Sequence, residues 1–235
     1  MATIVLVHGH MHGAWCWGRV VPLLEARGHR VVAFDLPGRG ADARPHAEVT
    51  LEDFVAATAA VVQAEREPVV LVGHSAGGTV LSEIAERLPE RVALLVYVAA
   101  ILLRDGESIF SAFVPIAPQD GAIAADGGSA VITDRALLRR RFYNTCSDVD
   151  AAWALDRVCP EPLAPMMAPV RVTPARFGRV KRAFIKTAQD RGVFPADQDR
   201  MSAGCDPVIA MDTDHSPFLS APEEFAAHLD ALARR

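Results

Sequence analysis

The chain has 235 residues, of which 51% are hydrophobic and 23% charged, and its formal net charge is -5. That composition can fill a single sizeable core, while the acidic balance and the lack of any basic run exclude nucleic acid as an expected partner. No apolar run, Val92 to Leu103 included, is long enough to cross a bilayer. The first residues show no basic stretch ahead of a cleavable apolar one, so a cytoplasmic protein without membrane attachment is expected.

Short β-branched runs alternate with helical patterns along the chain, the signature of parallel βαβ units. Ile4-Val5-Leu6-Val7 is the first strand. After the loop His8-Gly9-His10-Met11 comes a short helix through Pro22 and Leu24 that ends at Gly28. Val31-Val32-Ala33-Phe34 is the second strand. Thr50 then opens a helix as a capping box with Asp53, and Phe54, Ala57 and Val61 recur at helical spacing. Val69 to Val72 and Leu94 to Val98 are the third and fourth strands; Ala183-Phe184-Ile185 and Val208 to Met211 complete six. Ser220 and Glu223 suggest a second capping box, ahead of a helix with Phe225, Leu229 and Leu232 on its apolar face. Strands this uniformly apolar need helices over both faces of their sheet. The expected fold is therefore α/β, a mostly parallel six-stranded sheet flanked by helices.

From about Ile101 to Arg176 the rhythm breaks: no clean strand is visible, prolines cluster, and Gly127-Gly128 marks a loop. This stretch reads as a cap, residues 101–176, inserted after the fourth strand of a core made of residues 1–100 and 177–235. Phe110, Phe113, Trp153, Met166 and Met167 are candidate pocket residues, each of which could equally glue the cap to the core. The four cysteines, Cys16, Cys146, Cys159 and Cys205, lack any Cys-x-x-Cys spacing and are expected to be free thiols.

The chemistry centres on Gly73-His74-Ser75-Ala76-Gly77. A Gly-x-Ser-x-Gly pattern is weak by itself, but here it follows a buried strand and precedes a helix-compatible run, the context that a nucleophile elbow needs. The serine sits on a strained turn, so the positions two before and two after it must be tiny. The same turn points the Ala76 N–H, at the positive end of the new helix, toward a reacting carbonyl oxygen. The second oxyanion donor is expected from the loop after the first strand, at the backbone N–H of His10, with Met11 shaping the pocket. His8, His10 and His12 alternate as metal ligands could, but the glycines imply a turn and no acidic residue completes a site, so no metal or other cofactor is expected.

In this fold the order is Ser, acid, His. Only His215 and His228 follow Ser75, and His215 comes directly after the last strand, on a loop from which a base could reach the serine; His228 lies within the final helix. For the acid, Asp190 after the fifth strand is favoured, with Asp105 after the fourth as the alternative; Asp214 adjoins the base and is poorly placed to bond its Nδ1.

These residues resemble the plant methylesterase and hydroxynitrile lyase family of α/β-hydrolases and its small bacterial esterase relatives. The resemblance runs over most of the chain: His12-Gly13-Ala14-Trp15-Cys16-Trp17, Val21-Pro22-Leu23-Leu24-Glu25, Gly73-His74-Ser75, Phe142-Tyr143-Asn144-Thr145-Cys146, Arg176-Phe177-Gly178 and Asp214-His215 followed by Pro217-Phe218-Leu219. It implies the α/β-hydrolase fold, a triad of Ser75, Asp190 and His215, and oxyanion donors at His10 and Ala76. The family's lyases carry lysine directly after the catalytic histidine and threonine before the oxyanion residue, where this chain has Ser216 and Gly9. Both differences imply ester hydrolysis rather than cyanohydrin cleavage. The cap departs most from the plant pattern. The expected activity is hydrolysis of small or medium hydrophobic carboxylic esters through an acyl-enzyme, with cyanohydrin cleavage or non-catalytic small-molecule binding as alternatives. The expected partner is a small-molecule ester, with a homodimer as the only protein partner considered.

Overall fold

The computed structural model describes residues 1–112 and 123–235. Its core is a six-stranded sheet of β1 (Thr3–Val7), β2 (Arg30–Ala33), β3 (Val69–His74), β4 (Val92–Val98), β8 (Arg182–Thr187) and β9 (Val208–Met211). The strands lie in the order β2-β1-β3-β4-β8-β9. Every pairing between neighbours is parallel, as the mostly parallel six-stranded sheet expected from the sequence requires.

The alternation of side chains along each strand divides the core in two. Ile4, Leu6, Val70, Val72, Val96, Val98, Ala183 and Ile185 enter one cluster, where α1 (Val20–Glu25) and α10 (Pro222–Ala233) cover them with Leu24, Phe225 and Leu229. Val5, Val7, Val69, Leu71, Leu95, Tyr97 and Phe184 enter the other, beneath α2 (Leu51–Ala64), α3 (Gly77–Arg87) and α8 (Pro195–Met201). Each CH₂ taken from water is worth about 0.8 kcal/mol, and both faces of the sheet are used.

Local signals set several helix ends. Thr50 caps α2 with the full reciprocal box, its side chain accepting from the Asp53 N–H while Asp53 accepts from the Thr50 N–H. The second expected box does not form. Ser216-Pro217 starts the one-turn α9 (Pro217–Ser220) directly after His215, and this consumes Ser220, whose hydroxyl donates to Asp214 Oδ1 at 2.9 Å. Helix α10 instead follows Ala221 with Pro222 in its first turn, where the missing N–H costs nothing. The Arg176-Phe177 segment closes the end of α3: Glu86 accepts the N–H groups of Thr173 (2.7 Å) and Phe177 (3.1 Å), and Arg176 donates to the Arg87 carbonyl.

Between β4 and β8 lie short helices, α4 (Ile109–Ala112), α5 (Arg135–Phe142), α6 (Asp148–Leu155) and α7 (Ala164–Met167), and a small second sheet. The expectation of no strand there is overturned: β5 (Ile123–Asp126), β6 (Ser129–Ile132) and β7 (Glu161–Pro162) pair antiparallel in that order. Gly127 and Gly128 form the two-residue hairpin turn, both with positive φ. These strands are too short and too rich in small residues to show a period-2 signal.

Strand order reverses between β1 and β3, where the chain first winds one way to β2 and then returns to the other side. At such a switch point the loops beyond the carboxyl ends of the strands diverge and leave a crevice. The His8–Met11 loop leaves β1 there, and Ser75 follows β3.

Candidate active site

Ser75 has φ +51°, a left-handed conformation that costs a non-glycine residue of order 1–3 kcal/mol. Three backbone bonds hold it: its N–H donates to Val98 O at 3.1 Å, and its carbonyl accepts from Ile101 N at 2.8 Å and Gly78 N at 3.0 Å. Close packing explains the flanking glycine after it. A Cβ on Gly77 would lie 2.8 Å from His8 O and 2.9 Å from Val7 O, backbone atoms that cannot yield. Ser75 itself is 8% exposed.

His215, buried on the loop between β9 and α9, donates from Nδ1 to Asp190 Oδ2 at 2.8 Å. That tautomer leaves the Nε2 lone pair free to take a proton. Asp190, beyond the end of β8, is saturated with donors: Oδ2 also accepts from Thr187 Oγ1 (2.9 Å) and Gln198 Nε2 (3.0 Å), and Oδ1 from the N–H groups of Gly192 (2.7 Å) and Val193 (2.8 Å). Gln198, fully buried on α8, also accepts from Thr187 N and donates to Val193 O. It is a positioning residue that sequence reasoning missed, for a lone glutamine in a helix carries no motif.

The alternative acids have other work. Asp105 accepts the Val172 N–H at 3.0 Å, and Asp214 gathers the N–H groups of Thr145, Cys146 and Ser216. His228 lies 3.6 Å from Glu224 on α10. His74, the residue before Ser75, ties that turn to His215: its Nε2–H donates to His215 O at 2.8 Å, and its ring lies 4.5 Å from the His215 ring. The Phe142 ring stacks on the His215 ring at 5.1 Å.

His10 and Ala76 both border a cavity of about 10 Å³, room for one water, and the backbone N–H of neither has an acceptor among the described residues. Ala76 is the N-cap of α3, at the positive end of its dipole. Gly9 permits the approach of the two loops, because a Cβ there would stand 2.8 Å from both Ser75 Cβ and His74 Nδ1. The cavity wall is largely apolar, with Leu36, Phe54, Val80, Ile109 and Pro165, and includes Glu161.

The expected pocket residues fare unevenly. Met11 is buried directly after His10. Met166 is half-buried against the second core cluster, and Trp153 packs edge-on against Trp15 at 5.4 Å, with the Arg157 guanidinium over its ring. Phe110 (52% exposed) and Met167 (59% exposed) face solvent, which corrects their assignment. On the one-turn helices α4 and α7 successive residues are turned about 100° apart, and Ile109 and Pro165 line the cavity instead. Phe113 lies outside the described residues.

The neighbouring histidines are spread apart by their bonds. His8 donates from Nδ1 to Gly9 O and accepts the Leu36 N–H at Nε2; His12 donates from Nδ1 to His10 O and accepts from the Tyr143 hydroxyl. Burial lowers the pKa of His8 and His74 well below the ordinary range and takes that of His12 down to about 3. All three are therefore neutral at pH 7. Among the described residues no group of three histidine, cysteine or acidic side chains is placed to hold a metal ion.

A model of the alpha/beta hydrolase family matches residues 4–228. Methylesterase 17 of Arabidopsis thaliana is 31% identical, over 93% of this chain and 86% of its own. Salicylic acid-binding protein 2 of Nicotiana tabacum is 29% identical, over 98% of this chain and 96% of its own. Among solved structures, polyneuridine aldehyde esterase superposes with a TM-score of 0.88 at 28% identity, covering 99% of both chains. The chain belongs to the alpha/beta hydrolase family, among its plant methylesterase-like members.

Proposed function

We propose that the protein is a carboxylic ester hydrolase acting on small or medium hydrophobic esters, with Ser75, His215 and Asp190 as its triad. The observation that carries the reading is the buried Asp190–His215 hydrogen bond, whose histidine backbone is tied to the residue preceding a left-handed Ser75. Ser75 Oγ attacks the ester carbonyl carbon while His215 Nε2 takes its proton. The N–H groups of His10 and Ala76 stabilise the oxyanion, in a site whose burial strengthens such bonds. Collapse of the intermediate breaks the bond to the alcohol oxygen, which leaves with the proton from His215. Water, deprotonated by the same nitrogen, then releases the acid and restores Ser75.

The apolar residues grouped beside His10 and Ala76, namely Leu36, Phe54, Val80, Ile109 and Pro165, support a hydrophobic substrate. Gly9 supports hydrolysis over the lyase alternative, since threonine at that position would overlap Ser75 as the loops stand. Replacing Ser75 with Ala is expected to abolish turnover of a p-nitrophenyl ester and labelling by a fluorophosphonate; retained turnover overturns the assignment. A cytoplasmic location belongs to the same proposal, supported by four unpaired cysteines and tested by fractionation of the source cells. Among the described residues no helix is long and apolar enough to cross a membrane.

A further inference from the structure

Glu161 and Arg39 form a buried ion pair that the triad does not use, with Glu161 Oε2 bonded to Arg39 Nη2. Arg39 lies on the loop after β2 and Glu161 at the start of β7, so the pair joins the core to the segment inserted after β4. The same guanidinium donates to Cys159 Sγ (2.9 Å) and to Pro160 O (3.1 Å), gathering residues 159–161 around itself.

Burying two charges is expensive, and such a pair often stabilises a protein no better than apolar residues of the same size. A purpose other than stability is visible in what the carboxylate touches. Glu161 Oε2 accepts the backbone N–H of Met11 at 2.6 Å, and the Cys159 N–H donates to Met11 O at 3.1 Å. Both polar groups of Met11 are thus taken up by residues 159–161. Met11 has φ +60°, the left-handed region again, so its backbone needs such outside restraint. It follows His10 directly, and Glu161 and His10 line the same cavity.

We infer that Glu161 is a positioning residue: its carboxylate, set by Arg39, holds the His10–Met11 turn in the conformation that aims the His10 N–H at the oxyanion. The charge of Arg39 also offsets that of Glu161, which alone would repel a developing negative oxygen nearby. The inference rests on the ester hydrolase reading, in which His10 is an oxyanion donor. A donor that matters only in the transition state changes kcat and not KM when displaced, and a misplacement of about 1 Å costs on the order of 100-fold.

The test compares Glu161→Ala, Glu161→Asp and Glu161→Gln on a p-nitrophenyl ester, with phenylboronic acid as the probe of the oxyanion site. Ser75 Oγ adds to boron in that adduct, leaving a tetrahedral centre with one oxygen where the oxyanion would sit. The alanine variant removes the acceptor. The aspartate keeps the charge, and with it a folded protein, but withdraws the oxygen by about one methylene. For both, kcat is expected to fall about 10- to 100-fold with KM within about threefold, and the boronate inhibition constant to rise by a similar factor. Glutamine can still accept the Met11 N–H and is expected to keep kcat within about threefold of the parent. Aspartate at parental kcat, glutamine as impaired as alanine, or a loss carried by KM would each overturn the inference. Failure of the underlying reading looks different: the unsubstituted protein itself would neither turn over the ester nor bind the boronate.

Discussion

Replacing Asp190 with Asn exchanges one oxygen for an amide nitrogen in a site where every incoming partner can be named. Oδ1 faces the N–H groups of Gly192 and Val193, whose protons are fixed by the backbone. Oδ2 faces His215 Nδ1, the Thr187 hydroxyl and Gln198 Nε2. Asn must keep its oxygen toward the two backbone donors, since turning the amide would leave both unpaired at about 1–3 kcal/mol each. The NH₂ group therefore points at His215, where Nδ1 has to become the acceptor and the proton moves to Nε2. That tautomer cannot take the Ser75 proton, and the imidazolium formed during attack loses its counter-charge. Trapping the wrong tautomer in this way costs about 10⁴ in kcat. The assay is p-nitrophenyl ester hydrolysis, with Asp105→Asn as the control expected within about threefold of the parent. If Asp190→Asn retained more than about a tenth of kcat, or if Asp105→Asn lost more, this account of the acid would be refuted.

Three further outcomes are expected. Gly9→Ala places a Cβ 2.8 Å from Ser75 Cβ and His74 Nδ1; the loops must separate, and kcat is expected to fall about 10- to 100-fold, whereas parental kcat would show that the contact can relax. Ser75→Gly and Ser75→Ala should both be inactive, but at φ +51° the glycine variant is expected to be more stable than the alanine one by about 1 kcal/mol; equal urea midpoints would contradict the claim of strain. The third concerns acid. His8, His12 and His74 are held neutral when folded, while the unfolded chain protonates them near their ordinary value. Stability is thus fully present above about pH 6.5 and is lost as pH falls below it, by up to about 1.4 kcal/mol per histidine per unit. Urea midpoints at pH 7.5 and 5.0 test this, and a flat profile between them would count against it.

Several features could be read directly from the chain because their causes are local. Runs such as Ile4 to Val7 and Val69 to Val72 declare buried strands, and Thr50 with Asp53 declares a helix start, through chemistry confined to a few neighbouring residues. The elbow around Ser75 is local in the same sense, and a histidine just past the last strand is a matter of chain order. The Ser220 box failed although its motif was correct, because Pro217 had already begun a helix that claimed the serine. The cap was poorly legible: β5 to β7 are too short for periodicity, and which side of a one-turn helix faces inward depends on what it rests against.

Residues close together in the chain suffice to specify the α/β alternation, the elbow turn and a short choice of bases and acids. Which of those groups meet depends on how the whole chain packs. Asp190 and His215 are 25 residues apart, His74 and His215 are 141 apart, and Met11 and Glu161 are 150 apart. They converge because a parallel sheet sends all its carboxyl-end loops to one edge, and the strand-order reversal between β1 and β3 opens a crevice there. Glu161, Arg39 and Gln198 are ordinary residue types whose significance comes entirely from that convergence, so no local pattern could announce them.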